Sequence, residues 1–168
     1  AQGRGISIER KRNVTVTGCT FNNYFYGAYL QDVNNSLINN SFFSGSYYNI
    51  YLDGVLRSNV SHSNITTAGW AGVEFISGSH YNTIFNVTFS FNKYGIYQYS
   101  GTGYYGTTYV PNNGNLFYFN TFEESLKDYY QLGPLLQTVT DPILFNTTIN
   151  GVSVGNSWDS ICDYSLSF

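Results

Sequence analysis

Two short apolar patterns recur along the chain about every 22 residues, and a repeat of that length cannot bury its own apolar face alone. One reads Gly5-Ile-Ser-Ile8, Gly27-Ala-Tyr-Leu30, Asn49-Ile-Tyr-Leu52, Gly72-Val-Glu-Phe75 and Gly95-Ile-Tyr-Gln98, with Asp128-Tyr-Tyr-Gln131 as a weaker sixth copy. Successive copies lie 22, 22, 23, 23 and 33 residues apart. The other pattern ends on Phe21, Phe42, Ile65, Phe89, Phe122 and Ile149, and five residues before each stands Val16, Leu37, Val60, Ile84, Phe117 or Leu144. Every one of these positions is apolar. The long step holds the Gly/Tyr/Pro/Asn-rich stretch 101–114, which reads as an inserted loop.

Within each unit apolar and polar residues alternate over four to six positions, which is the period of a strand. Units of strands with a fixed period bury their apolar faces by stacking on one another. The expectation is an all-β, right-handed parallel β-helix of about six coils in a single domain spanning 1–168. At ~4.8 Å per coil the stack rises about 29 Å. A leucine-rich repeat lacks its Leu-x-x-Leu-x-Leu pattern here, and an antiparallel sandwich imposes no constant period. Three residues before each anchor of the second pattern stand Gly18, Asn39, His62, Asn86, Phe119 and Asn146. Gly and Asn tolerate the left-handed backbone of a sharp corner, and stacked Asn side chains bond to one another along such a stack.

Charged residues make up only 10% of the chain, against a usual share of about 25%. The surface must therefore draw its polarity from Asn, Ser, Thr and the 17 Tyr. A net charge of −3 leaves no basic footprint for nucleic acid, and the run Arg10-Lys11-Arg12 reads as a solvated turn. No apolar stretch approaches the ~20 residues of a membrane-spanning helix. The chain lacks an initiator Met and a signal peptide, as expected of a processed chain or a fragment of a longer protein.

The units Asn-x-Ser/Thr-Ile-x-Asn-x-x-Phe and Tyr-Gly-Ile-Tyr resemble the β-helix repeats of pectate-lyase-like proteins. More narrowly, they resemble the NosD-like carbohydrate-binding and sugar-hydrolase repeats of archaeal surface proteins. Gly155-Asn156-Ser157-Trp158-Asp159 is similar to the closing Gly-Asn-x-Trp motif of those chains, and the resemblance covers roughly residues 5–160. It implies the fold; activity does not follow, because β-helices host many functions. The NosD name implies copper, but His62 and His80 are the only histidines and supply too few ligands. His62 also falls on a corner position.

The resemblance to pectinolytic enzymes directs attention to clustered carboxylates. Glu9 and Asp53 follow the anchor of the first pattern by one residue and Asp32 by two, along one edge of three coils. They read either as a calcium site or acid pair, or as solvated turn carboxylates beside Arg10 and Arg57. Residues alternating with the buried anchors, Ser7, Tyr29, Tyr51, Glu74, Tyr97 and Tyr130, should face outward one above another. Three readings stay open for this strip: sugar stacking with Glu74 as polar contact, cross-strand packing, or burial against another subunit. Asn13, Asn34, Asn39, Asn59, Asn64, Asn86 and Asn146 open Asn-x-Ser/Thr sequons. They read as N-glycosylation sites, as a by-product of the repeat, or both.

The first coil begins with its second strand, so an open edge precedes it, covered either by further coils or by another subunit. Cys19 and Cys162 lie about 25 Å apart in coil order at ~4.8 Å per coil, too far for an intrachain bridge unless the C-terminal tail folds back. An intermolecular disulfide between stacked copies and a small buried core residue at Cys19 are the alternatives. The sequence thus points to an extracellular or cell-surface structural module with other copies of itself or glycans as partners, without a cofactor. A carbohydrate-binding module and a polysaccharide lyase or hydrolase are the alternatives; no convergent catalytic cluster supports an enzyme.

Overall fold

The computed structural model describes residues 3–99, 112–132 and 144–158. The chain is a right-handed parallel β-solenoid. One sheet stacks the six-residue strands β1 (Arg4–Glu9), β4 (Tyr26–Gln31), β7 (Tyr48–Asp53), β10 (Ala71–Ile76), β13 (Tyr94–Tyr99) and β16 (Lys127–Leu132). A second stacks β2 (Thr15–Thr17), β5 (Leu37–Asn39), β8 (Asn59–Ser61), β11 (Thr83–Phe85) and β14 (Leu116–Tyr118). The third stacks β3 (Thr20–Asn22), β6 (Phe42–Ser44), β9 (Asn64–Thr66), β12 (Thr88–Ser90), β15 (Thr121–Glu123) and β19 (Ser157–Trp158). Single parallel bridges, Arg12 to Asn34 to Leu56 to His80, line a fourth side. Four coils run without a break within residues 3–99, fewer than the six expected. Residues 101–111 of the expected inserted loop lie outside the described residues.

Each side ends on a residue with positive φ, so four left-handed corners close each coil. Gly18, Asn40, His62, Asn86 and Phe119 form one such column, with φ between 47° and 64°. Non-Gly residues seldom adopt this conformation, yet here it recurs because only it turns the backbone sharply enough to restart the next strand in register. Asn40, not Asn39, takes the corner in the second coil. Asn39 sits at the end of β5, paired with Thr17 and Ser61.

That one-residue offset runs through the whole second copy. The core columns are Val16, Ile38, Val60, Ile84, Phe117 and Phe21, Phe43, Ile65, Phe89, Phe122, Trp158. Leu37 and Phe42 therefore face outward; Phe42 is 39% exposed and Phe43 fully buried. Two adjacent apolar residues, Leu37-Ile38 and Phe42-Phe43, satisfy the alternation in either register. The last copy departs further. Phe145 packs near Phe117 (ring centroids 5.4 Å apart), and Ile149 lies in an antiparallel hairpin of β17 (Thr147–Ile149) and β18 (Val152–Val154). Its turn is Asn150-Gly151, both with positive φ, the pairing that a two-residue hairpin loop favours. After this insertion Trp158 completes the column, its ring stacked 4.4 Å from Phe122 and nearly parallel to it.

Polar ladders follow the corners, interrupted where Val33, Val55 or Val87 takes the rung position. The residue after the left-handed position accepts, through its side-chain oxygen, the backbone N–H of its counterpart one coil earlier. Val14 N–H donates to Ser36, Ser36 to Ser58, Ser58 to Asn82 and Asn82 to Asn115, at 2.9–3.1 Å. A second ladder runs from Cys19 to Ser41 to Ser63, and from Val87 to Asn120 to Asn156. The expected stacking of Asn thus exists one position beyond the bend. It saturates corner amides that strand pairing leaves over, in a place closed to water.

Candidate functional site

The solenoid puts its chemistry on the outer face of the first sheet. Strand pairing aligns Ser7, Tyr29, Tyr51, Glu74, Tyr97 and Tyr130 in one column. A second column, unforeseen from the sequence, stands beside it: Arg4, Tyr26, Tyr48, Ala71, Tyr94 and Lys127. Residues three apart share the face, as the ring contact of Tyr26 with Tyr29 at 5.2 Å shows, and the place after the second column is held by Gly5, Gly27, Asn49, Gly72, Gly95 or Asp128. A Cβ at Gly27 would lie 2.5 Å from the Asn49 carbonyl oxygen and 3.1 Å from the Phe43 ring. The Tyr-Gly pairs at 26–27 and 94–95 carried the signal for this second column.

The rings stack along the solenoid axis. Tyr29 and Tyr51 lie 5.5 Å apart at 9°, Tyr26 and Tyr48 5.3 Å apart at 11°, and Tyr97 and Tyr130 5.5 Å apart at 24°. Edge-on contacts tie the columns together, as between Tyr26 and Tyr51 at 5.0 Å. Phe25, Tyr47 and Trp70 extend the wall along its flank, with centroids 5.2 and 6.2 Å apart. Such offset and edge-to-face pairs are the favourable geometries for aromatic quadrupoles. They also use the ring faces on one another, so Tyr29 and Tyr97 are buried by their own neighbours. Protein cations sit over the wall: the Arg4 guanidinium 3.6 Å above Tyr29, Lys93 4.0 Å above Trp70, and Lys127 4.5 Å above Tyr130.

Glu74 interrupts the strip between Tyr51 and Tyr97. It is only 6% exposed, and its Oε2 has no hydrogen-bond partner. Burial pushes its carboxyl up to about 8, so it is mostly neutral at pH 7. Burial likewise raises the phenol of Tyr97 to about 12 and those of Tyr48 and Tyr51 further still, with the nearby Glu74 carboxyl adding to each shift.

The other sequence candidates are dispersed. Glu9 bonds Arg4 and Ser7; the Ser7 hydrogen bond first, then Arg4, lowers its carboxyl below the usual range. Asp53 stands two coils beyond Glu9 with Gln31 between, and Gln31 donates to it at 3.1 Å. Asp32 occupies a left-handed corner 4.0 Å from Arg10. Cys19 is half-buried beside the core, its thiol donating to the Thr17 carbonyl; Cys162 lies outside the described residues, as does any bridge between them. His62 sits at its corner with its ring edge-on to Phe85, while His80 belongs to the bridge side and accepts the Asn113 N–H on Nδ1 at 3.0 Å. Among the described residues, no three His, Cys, Asp or Glu come together to hold a metal ion.

Stacked parallel sheets, left-handed corners and corner ladders define the class of parallel β-solenoid repeat proteins. The chain belongs to the NosD family: residues 2–162 match the family described as periplasmic copper-binding protein (NosD). No match was found among curated proteins or among solved structures. The copper in that description does not fit the described residues of this chain. Of its two histidines His62 stands at a corner and His80 on the bridge side, Cys19 engages a backbone carbonyl, and the chain has no Met.

Proposed function

We propose that this chain is a non-catalytic structural module exposed in the cell envelope, and that the tyrosine face of its first sheet is the surface by which it meets its partner, a second copy of itself. The paired tyrosine columns carry this reading. Their ring faces are occupied by each other, so the wall offers ring edges and phenolic groups, chemistry that suits a flat protein surface. The periplasmic family to which the chain belongs supports an extracytoplasmic location. The half-buried Tyr48 and Tyr94 rings, in the column beside the buried Tyr29 and Tyr97, are where a partner would dock. Sedimentation and electron microscopy of the purified chain test this. Assemblies lost in Tyr48→Ser/Tyr94→Ser, with the far-UV spectrum retained, are the expected result; a monomer at all concentrations overturns it.

A further inference from the structure

The seven sequons are unequal in the folded chain, and the difference follows the third residue. Asn13, Asn64, Asn86 and Asn146 precede a threonine at the third position, and all four asparagines are exposed. Thr15 and Thr148 are exposed; Thr66 and Thr88 are half-buried, Thr66 accepting a hydrogen bond from Ser90. Asn34, Asn39 and Asn59 precede serines, and Ser36, Ser41 and Ser61 are all buried. Ser36 and Ser41 are rungs of the corner ladders, each accepting a backbone N–H and donating back to the carbonyl of its own sequon asparagine. Ser61 donates to Asn39 Oδ1 at 3.1 Å, which ties down that asparagine. The Oδ1 of Asn34 is buried.

We propose that the chain carries N-linked glycans on Asn13, Asn64, Asn86 and Asn146 and leaves Asn34, Asn39 and Asn59 bare. The assignment rests on the envelope-exposed reading above. In the transfer the asparagine Nδ2 loses a proton and bonds to the anomeric carbon of a lipid-linked sugar donor, whose phosphate leaves with the lipid. A folded chain presents both the amide and the hydroxyl two residues on only at the four threonine sequons. Their places have a consequence. None lies on β1, β4, β7, β10, β13 or β16, so the glycans stand on the strands and corners of the other sides and, at Asn146, beside the β17–β18 hairpin, and the tyrosine face stays free of sugar.

Glycopeptide mass spectrometry of the chain purified from its source cells tests the assignment site by site. Sugar on the four threonine sequons, with unmodified Asn34, Asn39 and Asn59, is expected. In Asn64→Gln, an exposed position that leaves the ladders intact, the intact mass should fall by one glycan. Comparable occupancy at a serine sequon, or bare asparagine at all four threonine sequons, overturns the proposal. Labelling of intact cells with a membrane-impermeant amine reagent separates the two readings. A labelled but sugar-free chain overturns the glycan assignment and leaves the envelope location standing; an unlabelled, sugar-free chain overturns both.

Discussion

At the scale of single residues, two side chains work against the fold. Gln98 continues the core column of Ile8, Leu30, Leu52 and Phe75, is fully buried, and neither its Oε1 nor its Nε2 has a hydrogen-bond partner. A buried amide without partners costs about 1–3 kcal/mol. Gln98→Leu, which matches the residues of that column, should raise the urea midpoint by a corresponding amount, and a lowered midpoint would refute the register. Glu74 acts through pH. Its folded carboxyl titrates near 8, above the ordinary value of 4.5, so the native state holds the proton more tightly than the unfolded chain. Stability should therefore fall as pH rises from about 4.5 to about 8, by up to ~1.4 kcal/mol per unit, and level off above. Urea titrations at several pH values should show this slope in the wild type and its loss in Glu74→Gln.

Among the elements, the three-residue strands of the second and third sheets are too short to hold themselves, and what fixes them is one inward side chain each plus a corner rung. Phe89 is fully buried, with its ring 4.8 Å from Phe122 at 4°. Phe89→Ala should cost about 3–5 kcal/mol by urea unfolding, whereas Phe42→Ala, on an outward ring, should cost under half as much. Equal losses would mean the second coil is misregistered. The first sheet was legible from sequence in full, because Gly or Asn followed by alternating apolar residues permits one register only. The third sheet was legible in four of its six anchors. Phe42-Phe43 is ambiguous by alternation, and the column reaches Trp158 only after the Asn150-Gly151 hairpin has displaced Ile149. The ladder would have resolved both: Ser41-x-Phe43 and Asn156-x-Trp158 share the spacing of Ser63-x-Ile65 and Asn120-x-Phe122. Of the candidate site, the Tyr29–Tyr130 strip was read correctly as a column. Its burial, and the Tyr26–Tyr94 column beside it, were not, since neither a face shared by residues three apart nor ring stacking leaves a period-two trace.

For the whole molecule, stability is a sum over coils and the contacts between neighbours, so no single long-range contact decides whether it folds. The first coils share one length in every column, as Ala28 pairs with Ile50 and Phe21 with Phe43, which lets a coil be removed without shifting a ladder. Deletion of residues 28–49 joins Gly27 to Ile50 and should leave a folded, β-rich chain with a lower urea midpoint. Loss of the circular dichroism signal of strands would show that the columns are not interchangeable.

The corner ladders thereby make length a graduated quantity. Where the rung is Ser or Asn, it accepts from the coil before and donates to the coil after, as Ser36, Ser58 and Asn82 do, so one bond joins adjoining levels whatever their number. A gene encoding such a chain can gain or lose whole coils by unequal recombination between repeats, and each event lengthens or shortens the product by one step of ~4.8 Å. The height of the solenoid is then a heritable trait that evolves by counting rather than by reshaping.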